Sequence, residues 1–342
     1  MLIIKFCKKQ YLCSVNNFAM IRNIFVLLCI TLMCACKNSA QSTASNESVT
    51  EVPVFSSDSA YGYIQKQVDF GPRVPNTAAH RHCADYLVTT LQRFGATIIN
   101  QKVKLTAFNG DKLDAHNIIA SFSPEKTNRI LLFAHWDSRP WSDHDPDPKN
   151  FHQAVLGAND GASGVGVLLE IARQIGLDSP QVGVDIIFFD AEDYGAPENH
   201  HTYVADSWCL GSQYWAKNLH VKPYNPRYGI LLDMVGAKDA KFYREQISDT
   251  HARFVVDKIW NTAQNLGFDK YFINARGGVI TDDHLYVNKI AGIPSANIIQ
   301  YDPRSVHGFG DYWHTVNDDM RNISKETLFA VGTTLLHIIY NE

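Results

Sequence analysis

The chain has 342 residues, 45% hydrophobic and 19% charged, with a formal net charge of -4. That composition supports one large folded domain and excludes global disorder. The mild negative charge gives no reason to expect nucleic acid or an anionic membrane surface as partner.

The N-terminus reads as a targeting segment. Met20-Ile21-Arg22-Asn23 supplies a positive charge, residues 24–33 form an apolar stretch too short for a comfortable membrane span, and Cys34-Ala35-Cys36 follows. This order resembles the lipobox of bacterial lipoproteins, with Cys36 lipidated and Met20 as the true start. Met33 and Cys34 depart from the usual aliphatic and small residues. The expectation is leader 1–36, tether 37–58 and catalytic domain 59–342, in a protein exported to the periplasm and anchored as a lipoprotein. Five of the seven cysteines lie in the leader, so only Cys83 and Cys209 belong to the folded body. Nothing in the sequence says whether they pair.

After a Ser/Thr/Asn/Gln-rich tether, helices are predicted over 59–70 and, capped by Asn76, to about Phe94. Residues 102–106 and 116–122 read as strands of a hairpin turning at Asn109-Gly110. Residues 129–135 form a buried strand running into His135-Trp136-Asp137. The Pro- and Asp-rich stretch 141–148 fits no EF-hand spacing and reads as a solvated loop. Gly157-Ala158-Asn159-Asp160-Gly161 opens a helix to about Gly176. It lacks the Gly-Lys-Ser/Thr of a phosphate loop.

The next strand, Ile186-Ile187-Phe188-Phe189, runs directly into Asp190-Ala191-Glu192-Asp193. In open α/β sheets, ligands gather beyond the carboxyl ends of strands. Residues 194–207 read as a long loop whose His200-His201 pair lies at the surface, with a second metal there as the alternative. A helix is predicted over 208–219, a strand over 228–233 ending in Asp233, and a long helix over 250–266. Another helix opens at Thr281-Asp282-Asp283-His284. A strand over 294–300, a loop carrying Trp313-His314 and a helix over 325–340 complete the chain. Strands alternating with helices predict a single α/β domain with a mostly parallel or mixed central sheet flanked by helices.

Carboxylates and imidazoles thus close successive elements: His135, Asp137, Asp160, Glu192, Asp193, Asp233, Asp282 and His314. Without thiolates, that set suits a catalytic zinc site with an open position. The alternative is that each is an ordinary polar loop residue.

The blocks Ala134–Ser138, Gly157–Asp160, Phe188–Asp193, Leu231–Ala237, Gly277–His284 and Trp313–Thr315, taken in order, resemble the zinc glutaminyl-peptide cyclotransferases, members of the zinc aminopeptidase-like superfamily. The resemblance runs from about Tyr61 to the C-terminus. It implies one zinc held by Asp160, Asp193 and His314, and Glu192 as general acid/base. Asp233 and Asp282 would form a hydrogen-bonded acid network near Glu192. Trp313, Trp208 and Thr281 would contact the substrate, a peptide or protein with N-terminal glutamine that is cyclised to pyroglutamate with loss of ammonia. Animal members carry Glu where this chain has Asp193, and the 194–207 loop does not align with theirs, so Trp208 is only a candidate for their pocket tryptophan. The alternative within the superfamily is a two-zinc aminopeptidase using His135 and Asp233 for a second ion bridged by Asp160. A binding domain without catalysis should have lost such ligands, and they are all present.

Overall fold

The computed structural model describes residues 51–197, 199–200 and 204–342. The expected leader, the Cys36 lipidation site and His201 lie outside the described residues. Four parallel strands form the centre of the sheet: β3 (Arg129–His135), β4 (Gly183–Phe189), β5 (Gly229–Asp233) and β8 (Ser295–Ile299). The hairpin β1 (Thr97–Thr106) and β2 (Lys112–Phe122) joins them antiparallel along β4, giving the order β1-β2-β4-β3-β5-β8. The sheet is therefore mixed, and Thr50–Glu342 is one compact unit.

Side chains of the central strands alternate between two apolar clusters, as the pleat requires. Ile130, Leu132, Ala134, Ile186 and Phe188 join the larger cluster, built with α1 (Ser57–Val68), α2 (Ala78–Arg93), α3 (Ala162–Leu177), α5 (Gln246–Asn265) and α7 (Lys325–Tyr340). Leu131, Phe133, Ile187, Phe189 and Leu231 face the opposite cluster with Trp215 of α4 (Leu210–Lys217) and Val287. Both faces are covered, which explains why these strands read as continuous apolar runs.

Several boundaries differ from expectation. Phe55 is buried and Ser56 caps α1 through Ser59 N, so the fold begins before residue 59. Thr77, not Asn76, caps α2. Asn76 has φ +75° and spends its amide on Lys112 O and Asp114 N, tying the hairpin to the helix. The hairpin turns at Gly110, at φ +89°, but both strands are longer than predicted. The predicted helix over 208–219 starts only at Leu210, because Cys209 is left-handed at φ +57°. A small parallel pair, β6 (Phe242–Arg244) with β7 (Phe272–Arg276), flanks α5 and has no counterpart in the sequence reading. The short helix α6 (Asp283–Tyr286) begins at the predicted acidic turn, with Asp282 as its cap. Cys83 and Cys209 are both free and buried.

Candidate active site

The carboxyl ends of β3, β4 and β5 open on one edge of the sheet. Trp136 N donates to Phe189 O at 3.0 Å, locking the first two ends together. Asp137 then accepts from Glu192 N and Asp193 N, both at 3.1 Å, and so fixes the main chain that carries the two adjacent acids. Gly161 is required beneath them: a Cβ there would lie 2.8 Å from Asp137 O and 2.9 Å from the His135 ring. Ala191, Cys209, Met234 and His314 all have φ between +48° and +57°. Non-glycine residues occupy that region where surrounding structure imposes it, commonly at functional sites.

Two imidazoles flank Asp160. His314 Nε2 lies 3.5 Å from Asp160 Oδ2 and 3.3 Å from Asp193 Oδ1. His135 Nε2 lies 3.0 Å from Asp160 Oδ1 and 3.2 Å from Asp233 Oδ1. Donor atoms bound tetrahedrally to zinc at its usual bond lengths stand about 3.3 Å apart. His314 stands at about that spacing from both Asp160 and Asp193, and His135, Asp160 and Asp193 also offer donor atoms within 4.8 Å of one another, so the two carboxylates with either imidazole have the chemistry to hold such an ion.

Glu192, Asp233 and Asp282 are gathered beside this trio, all buried. The expected network would run among these three acids, each of which also meets another group. Asp233 is tied to His135, Asp282 accepts from Asn297 Nδ2 at 2.7 Å, and Glu192 Oε1 meets Cys209 Sγ at 3.1 Å. Each acid thus has a donor of its own, and Glu192 and Asp282 oxygens lie within 4.8 Å of one another.

Electrostatics separate the acids. Burial, then the neighbouring Asp193, Asp282 and Asp283, push the Glu192 carboxyl well above the ordinary range, against the pull of His135. Burial and Asp160 raise Asp233 to about 6. Asp160 goes the other way: hydrogen bonds from His135 and His314 outweigh its burial and hold it well below the usual carboxylate range. One carboxylate stays ionised to meet a cation, while another can exchange a proton near neutrality.

A cavity of about 470 Å³ opens over these groups. Glu192, Asp193, Asp160 and His314 form its floor, and Trp208, Trp313, Tyr301, Phe309 and Thr281 are among its walls. The Trp208 ring lies parallel to His314 at 5.8 Å, and Trp313 stacks on the same imidazole at 3.7 Å.

A model of Peptidase family M28 matches residues 117–339. The chain belongs to peptidase family M28. Its M28 fold is shared by a Zn-dependent exopeptidase from Parabacteroides distasonis, at 60% identity and TM-score 0.85, over 85% of this chain and 100% of that one. Tannerella forsythia glutaminyl cyclase is similar at 58% identity and TM-score 0.84, over 85% of this chain and 100% of that one. Aminopeptidase YwaD of Bacillus subtilis (strain 168) is 28% identical over 279 residues, 79% of this chain. The chain spans about half of that curated relative, 54% of its length.

All nine residues proposed from the sequence as catalytic, substrate-binding or metal-holding line this M28 cavity: Glu192, Asp233, Asp282, Trp313, Trp208, Thr281, Asp160, Asp193 and His314. Trp208 lies ahead of α4 rather than in it. His200 is exposed against Phe108 and joins no metal-ligand group among the described residues.

Other residues of the site escaped the sequence reading. The 141–148 loop is not simply solvated: the Asp143 side chain is 1% exposed and paired with buried Arg139 at 2.5 Å. Arg139 also donates to Asp193 O at 3.0 Å and lies over the Trp208 ring at 4.4 Å. Asp318 accepts from Asn159 N and Asp160 N at 2.8 and 2.9 Å. Buried Arg73 donates to Trp136 O and Gly157 O, clamping the loops that carry His135 and Asp160. The Arg139/Asp143 spacing of four residues was the one available signal. It falls in a loop, where such spacing carries no meaning by itself.

Proposed function

We propose that the chain is a zinc-dependent glutaminyl-peptide cyclotransferase, converting N-terminal glutamine of peptides and proteins to pyroglutamate with release of ammonia. The observation that carries this reading is a trio spaced for one ion, Asp160, Asp193 and His314, beside a buried proton carrier, Glu192, under an aromatic-walled cavity. The likeness to Tannerella forsythia glutaminyl cyclase along that chain's full length supports it.

Asp160, Asp193 and His314 would hold the zinc, which when bound supplies a Lewis acid for the substrate's side-chain carbonyl. Trp313 and Trp208 wall the glutamine side chain and exclude water. The substrate's neutral α-amine forms the new C–N bond to the γ-carbonyl carbon, and the bond to the amide nitrogen breaks. Glu192 takes one proton from the attacking amine and returns it to the leaving nitrogen, which departs as ammonia. Both reacting groups belong to one molecule, so alignment in the cavity supplies much of the rate. Asp233 holds His135, and Asp282 lies beside Glu192.

A specific observation favours the aminopeptidase alternative: His135, Asp160 and Asp233 stand at spacings that also suit a second ion. In that reading Glu192 activates water. A Gln-initiated peptide separates the two. Ammonia release abolished by a chelator and restored by zinc supports the cyclase, while release of free glutamine supports the peptidase.

The N-terminal pattern from Met20 to Cys36 supports export and lipid attachment at Cys36 as part of the same proposal. Mass spectrometry of the mature N-terminus tests it, and an unprocessed cytoplasmic chain overturns it. No helix among the described residues is long and apolar enough to cross a membrane.

A further inference from the structure

We propose that Cys209 is a positioning residue for proton transfer, its thiol holding the Glu192 carboxylate from behind the cavity. The inference rests on the reading of Glu192 as the proton carrier.

Cys209 Sγ lies 3.1 Å from Glu192 Oε1. This is the one hydrogen bond to the Glu192 side chain among the described residues. Glu192 lines the cavity and Cys209 does not, so the thiol reaches substrate only through the carboxylate. A glutamate has three rotatable side-chain bonds, and neighbouring Asp193 and Asp282 repel its charge. Without a donor behind it, the carboxylate has nothing to select one orientation.

The contact is built into the main chain. Cys209 N donates to Glu192 O at 2.9 Å and Leu210 N donates to Ala191 O at 3.1 Å, which straps the two segments together. Ser212 Oγ donates to Cys209 O at 3.1 Å. Cys209 itself sits at φ +57° and ψ +36°, conformations a non-glycine residue keeps only where its surroundings hold it. Cys83 provides the contrast. It packs inside the larger apolar cluster, whereas Cys209 belongs to none of the three clusters. Cys83 is there as a small hydrophobe, and Cys209 is there for its S–H.

The choice of sulfur is chemically sensible. A thiol is a weak donor. It can direct a carboxylate without competing strongly for the electron pair that must accept the substrate's proton. Burial among acids keeps the thiol protonated, so it remains a donor.

The test is a double-mutant cycle on the full chain: wild type, Cys209→Ala, Glu192→Gln and the double variant, with Cys209→Ser as the conservative replacement. The readout is kcat and KM for a Gln-initiated peptide, with zinc content and melting temperature as controls. Cys209→Ala should lower kcat roughly tenfold, the scale of one hydrogen bond to a charged group, with KM unchanged. Cys209→Ser should recover most of that loss. In the Glu192→Gln background, Cys209→Ala should cost nothing further. An equal loss in both backgrounds, or full kcat in Cys209→Ala, overturns the inference. If the wild type releases an amino acid instead of ammonia, the cyclase reading falls but the cycle is read on that hydrolysis, where Glu192 is again the base. A readout independent of turnover is the Cys209 S–H stretch, isolated as the infrared difference between wild type and Cys209→Ala. It should move to the position of a free thiol in Glu192→Ala; a band that does not move overturns the inference.

Discussion

His135 Nε2 and Asp160 Oδ1 stand 3.0 Å apart, while the other oxygen of the same carboxylate faces His314 at 3.5 Å. Asp160 is thus divided between two imidazoles. On one side it joins His314 and Asp193 in the trio proposed to hold zinc. On the other it is bound, with Asp233, to a buried histidine. Burial disfavours a charged His135, but the Asp137, Asp160 and Asp233 carboxylates around it outweigh burial and favour the protonated ring. A second ion there would take the place of the His135 contacts to Asp160 and Asp233.

The proposed cyclase reading expects one zinc per chain. Asp160→Asn should lose it, and His135→Gln should keep it. Elemental analysis after gel filtration checks this; two tightly bound zincs linked to activity point to the aminopeptidase reading.

The proposed mechanism gives the adjacent acids Glu192 and Asp193 separable roles. Glu192→Gln keeps size and polarity but cannot carry a proton. It should retain zinc and fold while losing roughly two to four orders of magnitude in turnover. Asp193→Ala should lose zinc affinity first and activity with it. Zinc content and single-turnover ammonia release on both variants give the answer, and the reverse pattern means that the roles are exchanged.

Trp313 stacks on the His314 imidazole at 3.7 Å and forms part of the cavity wall. Trp313→Ala should raise KM and lower kcat with zinc retained, and Trp313→Phe should recover part of the loss. A variant with a lower melting temperature and intact kinetics would assign the ring to packing alone.

Stability should depend on acid through Glu245. Its carboxylate accepts from Ile247 N at 2.8 Å and Ser248 N at 2.6 Å at the start of α5, and meets His284 Nε2 at 3.0 Å. Burial alone would raise its pKa, but His284 and these amides pull it from 4.5 down to about 2. The depressed folded value means that the stabilisation is fully present above about pH 4.5 and is lost as pH falls through about 2. Glu245→Ala should cost about 3 kcal/mol at neutral pH. The difference in melting free energy from wild type should shrink below pH 4.5. A gap that stays constant down to pH 2 contradicts this account of Glu245.

The strands that carry the chemistry were legible because each is an apolar run ending abruptly in a polar residue. Burial on both faces produces the run, and the strand end produces the break. Asp160 and His314 were legible through the resemblance of their motifs. What supports them was not. Asp318 reaches Asn159 across 159 positions, and no local pattern encodes a capping contact of that span. Asp143 stood in a stretch whose proline and aspartate content resembles a solvated loop, and its burial depends on Arg139 beneath Trp208. Trp208 was placed in a helix because its neighbours have helical composition; the left-handed turn at Cys209 is imposed by the strap to Glu192 and Ala191. The β6–β7 pair is short and separated by all of α5, so neither strand could display an alternating pattern long enough to read.

The most direct measurement is product analysis on one peptide with N-terminal glutamine, with and without a chelator. The account predicts one ammonia released per peptide, a blocked N-terminus on an otherwise intact chain, and loss of both when zinc is removed. Free glutamine together with a peptide shortened by one residue would contradict it.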